Sequence, residues 1–206
     1  MVHVDAVQSP GKIESWDLLP QEIDFYTFSS HKFGGLKGIG FSFVNEKAST
    51  FEPLVTGGGQ QEGLRSGTIN TMGVSSTVLA LEDVKKNYNY LEAFEGIKFL
   101  REEIKKKLKD KGKVIAFDSK NKNTNTIFFT VNGKDSNSLL MAFDMAGMDV
   151  GVGSACSSGA LEPSRVLLNM GFSKNHAQSS LRFSLSRMNT SEEITKTVTC
   201  ITHYLK

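Results

Sequence analysis

The chain has 206 residues, 39% of them hydrophobic, with 24 basic and 22 acidic side chains and a formal net charge of +2. That length and apolar content can bury a sizeable core in one domain or two small ones, so the chain need not be disordered. The charge balance offers no footprint for nucleic acid or a membrane surface, no apolar run approaches the about 20 residues of a membrane span, and two cysteines, Cys156 and Cys200, are too few and too far apart for a disulfide framework or a zinc site.

The start, MVHVDAVQ, lacks the basic-then-apolar layout of a signal peptide, so the sequence predicts a soluble, cytoplasmic protein. Short apolar runs then alternate with turn chemistry: VHVDAV, SPGK, IDFYTFS, a glycine-rich segment and GIGFSFV. β-Branched and aromatic residues bounded by Gly and Pro predict strands. From about residue 70 to 111 the pattern becomes helical, with Phe94, Ile97, Ile104 and Leu108 at three- and four-residue steps or their multiples. Tyr88 and Tyr90 mark where one helix ends and the next begins, which places a domain boundary near 88. The basic run KKKLKDKGK, 105–113, reads as a solvated helix end.

Strand-like KVIAFD and TNTIFFTVNG follow, then a helix in SNSLLMAFDMAG closed by Gly147, a Gly/Ser loop, and a short helix opened by Pro163. SLRFSLSR alternates as a strand does, and a last helix starts at Thr190 with Glu193 spaced for a capping box and a stripe of Ile194, Val198, Ile201 and Leu205. Helices and strands in separate blocks predict an α+β small domain attached to a remnant of a larger α/β one.

Glycine clusters in three segments outside the helices, 32–40, 56–68 and 146–159, none of them a Walker loop or a dinucleotide fingerprint. Such loops hold phosphate or move over a site; as single features they are also what surface turns look like. Lys32, at a strand end beside Ser29, Ser30 and His31, is either a solvated loop lysine or an amine placed to attack a cofactor aldehyde. Asp5 is either a strand-edge carboxylate or the partner of a pyridine nitrogen, with the Gln8 amide three residues on placed for the ring oxygen. Cys156, among small residues in GSACSSG, suits an accessible nucleophile, whereas Cys200 in TVTCITHY reads as a packing residue. Arg182 offers a planar guanidinium for a substrate carboxylate or serves as a surface strand arginine, with Arg187 as the decoy.

Six segments in order, HVDAVQ, SSHKFGGLKGIG, GGGQQEGLRSGT, GSACSSG, EPSRVLLNMG and SSLRFSLSR, resemble the pyridoxal-phosphate-dependent cysteine desulfurases of the NifS/IscS type, in aminotransferase class V. The resemblance runs over nearly the whole chain. It implies an α/β fold of the fold-type I transferases, with residues 1–88 as the C-terminal part of the large cofactor domain and 89–206 as the small domain carrying the cysteine loop. The family's chains extend well upstream of Met1, so the resemblance implies a chain lacking the N-terminal half of the large domain.

Pyridoxal 5′-phosphate is the implied cofactor, with no metal. Lys32 is implied as the lysine that bonds its aldehyde, Asp5 as the partner of the ring nitrogen, Gln8 of the ring hydroxyl, and Ser29 and His31 of the phosphate. Thr68 is implied to reach the phosphate of the other subunit's cofactor in a homodimer. Cys156 is implied as the sulfur-accepting nucleophile on a mobile loop, and Arg182 as the clamp on the carboxylate of L-cysteine. The reaction implied converts L-cysteine to L-alanine and hands the sulfur to an acceptor protein, an iron–sulfur scaffold or a sulfur carrier. A catalytically incomplete interaction module and a selenocysteine lyase-like relative are the alternatives.

Overall fold

A computed structural model describes residues 1–46, 51–115, 125–152 and 163–204. The chain divides into two compact units, Met1–Tyr90 and Leu91–Lys206. Among the described residues no helix is long and apolar enough to cross a membrane.

The first unit is built on a three-stranded sheet of β1 (His3–Asp5), β2 (Phe25–Ser29) and β3 (Gly40–Val44), in that order. β1 runs parallel to β2, with Asp5 opposite Thr27, and β3 returns antiparallel, with Gly40 opposite Ser29. Alternation along the strands sorts the side chains. Tyr26 and Phe28 are buried on one face with Ala80 and Val84 of helix α1 (Thr71–Asn87), and Val4 and Phe41 pack against them. The rings of Phe28 and Phe41 stack at 4.8 Å. The other face carries a polar run beside Phe25: His3 Nε2 lies 2.7 Å from Thr27 Oγ1, which is 3.2 Å from Ser42 Oγ. α1 begins at the Asn70 cap, whose side chain accepts from Gly73 N, and ends at Asn87.

The second unit carries an antiparallel sheet in the order β4 (Gly112–Ile115), β5 (Thr126–Val131), β7 (Ser180–Ser184), β6 (Gly151–Val152). One face of β5 and β7 buries Ile127, Phe129, Val131, Leu181 and Phe183 against Leu100, Ile104 and Leu108 of α2 (Tyr90–Leu108), Leu139 and Phe143 of α3 (Ser136–Met145), and Ile201 of α6 (Ser191–Tyr204). The opposite face packs Ile115 and Phe128 with Leu167 of α4 (Arg165–Asn169) and Ala177 of α5 (Lys174–Gln178).

Ile97, Ile104 and Leu108 are buried at the helical spacing the sequence predicts, while the Phe94 side chain and Leu205 lie outside the description. The helix in SNSLLMAFDMAG ends two residues before Gly147, which adopts φ +76° as a helix-terminating glycine does. The short helix begins at Arg165, not at Pro163, because Ser164 is its cap. β7 stops at Ser184, short of the predicted SLRFSLSR, since Ser186 N turns to bond Asn189 Oδ1.

Candidate functional site

Parallel pairing of β1 with β2 brings the carboxyl ends of both strands to one edge of the first unit, the end at which open α/β sheets bind their ligands. Asp5 is the last residue of β1, exposed, and its Oδ1 accepts from Val7 N at 3.1 Å, fixing the carboxyl at the turn. Gln8 lies exposed three residues on. From β2, Ser29 ends the strand and the 3-10 turn Ser30–Lys32 follows directly. Ser29 Oγ and His31 Nδ1 are 3.0 Å apart, so hydroxyl and imidazole act as one polar pair.

The Lys32 turn is anchored on both sides. Ser30 is fully buried, its N bonds Ile39 O at 3.1 Å, and its Oγ accepts from Thr77 Oγ1 of α1 at 3.0 Å. Phe33 plugs the apolar cluster, which pins the turn while Lys32 itself stays half-buried. Gly35 N bonds back to Ser30 O at 3.0 Å, and a Cβ on Gly35 would lie 1.9 Å from Ser30 Oγ. Only glycine permits so close a return. Leu36 N, donating to Ser76 Oγ at 2.9 Å, ties the far side of the loop to α1.

Sequence reasoning did not single out Lys12. Its Nζ donates to Gln8 Oε1, and burial, with the Lys32 ammonium a smaller contributor, brings its amine down to about 8. The only signal for it in the sequence is a polar pair four residues apart after a strand, which is weak. A carboxylate, a carboxamide, a hydroxyl, an imidazole and two amines thus come from one end of the β1–β2 pair and the turns that follow it.

Thr68 sits exposed on the loop that leads to the α1 cap, where Ser66 Oγ donates to Gly58 O at 2.6 Å and Gly67 takes φ +111°. Arg182 is on β7 in register with Phe128 and Gly151, on the face turned away from the main core of the second unit. A Cβ on Gly151 would lie 3.1 Å from Arg182 Nη2, so this glycine leaves room for the guanidinium. Cys200 is half-buried on α6, and burial pushes its thiol up against a smaller opposing pull from Lys196. Cys156 lies outside the described residues, four positions beyond Val152 of β6.

The chain matches the aminotransferase class-V family model over residues 1–197. It is 38% identical to a cysteine desulfurase IscS of Tolumonas auensis over 204 residues, 94% of this chain and 47% of that protein. A cysteine desulfurase IscS of Clostridium botulinum is 34% identical over 93% of this chain and 48% of its own length. Among solved structures, a NifS-like protein aligns with a TM-score of 0.79 at 31% identity, covering all of this chain and 52% of its own. A NifS-like protein from Rickettsia africae gives 0.73 at 30% identity, over 98% and 52%. The chain spans about half the length of the curated relatives it matches.

Proposed function

The chain belongs to the aminotransferase class-V family, and from that premise we propose that it carries the C-terminal half of a pyridoxal-phosphate-dependent cysteine desulfurase. Its fold, an α/β remnant of the fold-type I transferases, is that of its NifS-like neighbours. In this reading Met1–Tyr90 belongs to the large cofactor domain and Leu91–Lys206 is the small domain. One observation carries the reading: Lys32 stands in a pinned turn at the carboxyl end of β2, next to the strand that ends in Asp5.

The donor set fits pyridoxal phosphate. The ring nitrogen calls for a carboxylate, the ring oxygen for a donor, the phosphate for hydroxyl and imidazole donors, and the aldehyde for an amine. Asp5, Gln8, the Ser29–His31 pair and Lys32 supply them in that order. When bound, the cofactor supplies an electron sink for the charge left when the substrate loses its α-proton.

The chain's own residues do the rest. Lys32, in a turn pinned by Ser30 and Phe33, would hold the cofactor through its amine and would accept the substrate's α-proton at Nζ. Asp5, its carboxyl fixed by Val7 N, would hold the ring nitrogen and orient the ring. Arg182 takes the substrate carboxylate bidentately, in the space Gly151 leaves. Cys156 Sγ accepts the sulfur as the substrate's C–S bond breaks, giving a persulfide and alanine. Thr68 reaches the phosphate bound by a second copy, which makes the assembly a homodimer. The sulfur then passes to an acceptor protein, an iron–sulfur scaffold or sulfur carrier, in the cytoplasm.

The test is borohydride reduction of the chain with pyridoxal phosphate, followed by peptide mass mapping. The expected label is on Lys32 and is lost in Lys32→Ala; a label elsewhere, or none, ends the cofactor reading. A second reading is a non-catalytic interaction module. It predicts no label together with retained binding to an acceptor protein.

A further inference from the structure

We infer that Lys12 is a positioning residue for the cofactor site: its ammonium grips the carbonyl oxygen of Gln8, so that the carboxamide presents its NH2 end to the bound ring. The inference rests on the pyridoxal-phosphate reading above and assigns a residue that reading does not use.

Chemistry fixes the direction of the grip. A carboxamide has one end that accepts and one that donates, whereas an ammonium has three donors and no acceptor. The end of Gln8 facing Lys12 Nζ must therefore be oxygen, as it is. The NH2 is left pointing away from Lys12. A ring oxygen bearing negative charge is an acceptor, and it meets a donor only in this orientation; the flipped amide would set oxygen against oxygen.

Local structure holds Lys12 where the grip can form. The chain leaving β1 folds into consecutive turns, with Ser9 N bonding Ala6 O at 3.0 Å and Lys12 N bonding Ser9 O at 3.1 Å. Ser9 Oγ also donates to Ala6 O at 2.8 Å. Pro10 is fully buried, and Gly11, at φ +67°, comes so close to α1 that a Cβ there would lie 3.1 Å from Val84 Cγ1. Lys12 thus leaves a fixed turn. Its ammonium is half-buried, and the Lys32 ammonium is the second, smaller cause that lowers it, behind burial.

The experiment compares the full chain with Lys12→Met, Lys12→Arg, Gln8→Ala and the Lys12→Met/Gln8→Ala pair. Without cofactor, the Gln8 side-chain amide is followed by 15N NMR. Its resonances are expected to differ from those of solvated glutamines, to collapse onto them in Lys12→Met, and to be kept in Lys12→Arg. With pyridoxal phosphate, Lys12→Met is expected to weaken binding about tenfold, as loss of a charge-assisted bond does. The double variant should be no weaker than Gln8→Ala alone.

Unmoved Gln8 resonances in Lys12→Met would overturn the inference. So would a full tenfold loss in the Gln8→Ala background, which would mean that Lys12 acts on the cofactor directly. If the unaltered chain binds no pyridoxal phosphate, the cofactor reading falls and takes the purpose of the grip with it. The NMR arm then still reports whether the grip exists.

Discussion

Lys12 is a cation partly withdrawn from water, and its amine titrates near 8 in the folded chain against an ordinary 10.5. Below about pH 8 folded and unfolded states both carry the proton, so the cost of burying the charge is present in full. Between about 8 and 10.5 the unfolded chain holds the proton more tightly, and stability rises with pH. Lys12→Met is expected to flatten that rise in denaturant titrations across the window; an unchanged slope would show that Lys12 titrates like a solvated lysine. Gly35 is a second single-atom dependence. Gly35→Ala puts a methyl 1.9 Å from Ser30 Oγ, which is buried and held by Thr77, so the turn itself has to shift. A loss of about 1–3 kcal/mol in urea unfolding is expected, with weaker borohydride labelling of Lys32. Ser29, His31 and Lys32 were legible in the sequence because they share one turn, and adjacency alone unites them. Lys12 was not, because its relation to Gln8 and Lys32 exists only once the Ala6–Lys12 turns bring the chain back.

Among the elements, α6 shows a local code read correctly. Thr190 N donates to Glu193 Oε2 at 2.8 Å and Glu193 N to Thr190 Oγ1 at 3.2 Å, the reciprocal capping box that the spacing predicts. The Thr190 N–H bond first, and the Asn189 amide second, hold the Glu193 carboxyl below its usual range. Its support for α6 is therefore complete above the unfolded-state value and fades as pH falls through the folded one. Thr190→Ala is expected to cost about 1 kcal/mol by thermal melting. Glu193→Gln should melt with a shallower acid dependence than the unaltered chain below about pH 5, the range in which a glutamate titrates. Equal acid slopes would remove the carboxylate from the account. Two elements escaped the sequence reading for physical reasons. α5 is five residues held by the Ser173 cap, too short to show apolar periodicity. β6 is two residues inside a glycine loop, defined by its pairing to β7 and by no propensity of its own.

Viewed over the whole chain, the fold class was readable through the family resemblance that the six ordered segments carry together and that no single glycine loop carries. Composition could not reveal which apolar side chains remain uncovered. α1 buries Ala80 and Val84 against the sheet, yet Met72, Val78 and Leu79 are exposed, Leu79 at 65%. An amphipathic surface helix puts charge where these residues stand, so this apolar face costs solubility without adding stability. The two faces of α1 should then respond oppositely to substitution. Val84→Ala, at 1% exposure, is expected to lower stability by about 1–3 kcal/mol with little change in light scattering at moderate concentration. Leu79→Glu should leave the denaturation midpoint within about 0.5 kcal/mol of the unaltered chain while reducing concentration-dependent scattering. A Leu79→Glu chain that unfolds as readily as Val84→Ala would mean that this side of α1 is covered, and the solvent-facing assignment of Met72, Val78 and Leu79 would be wrong.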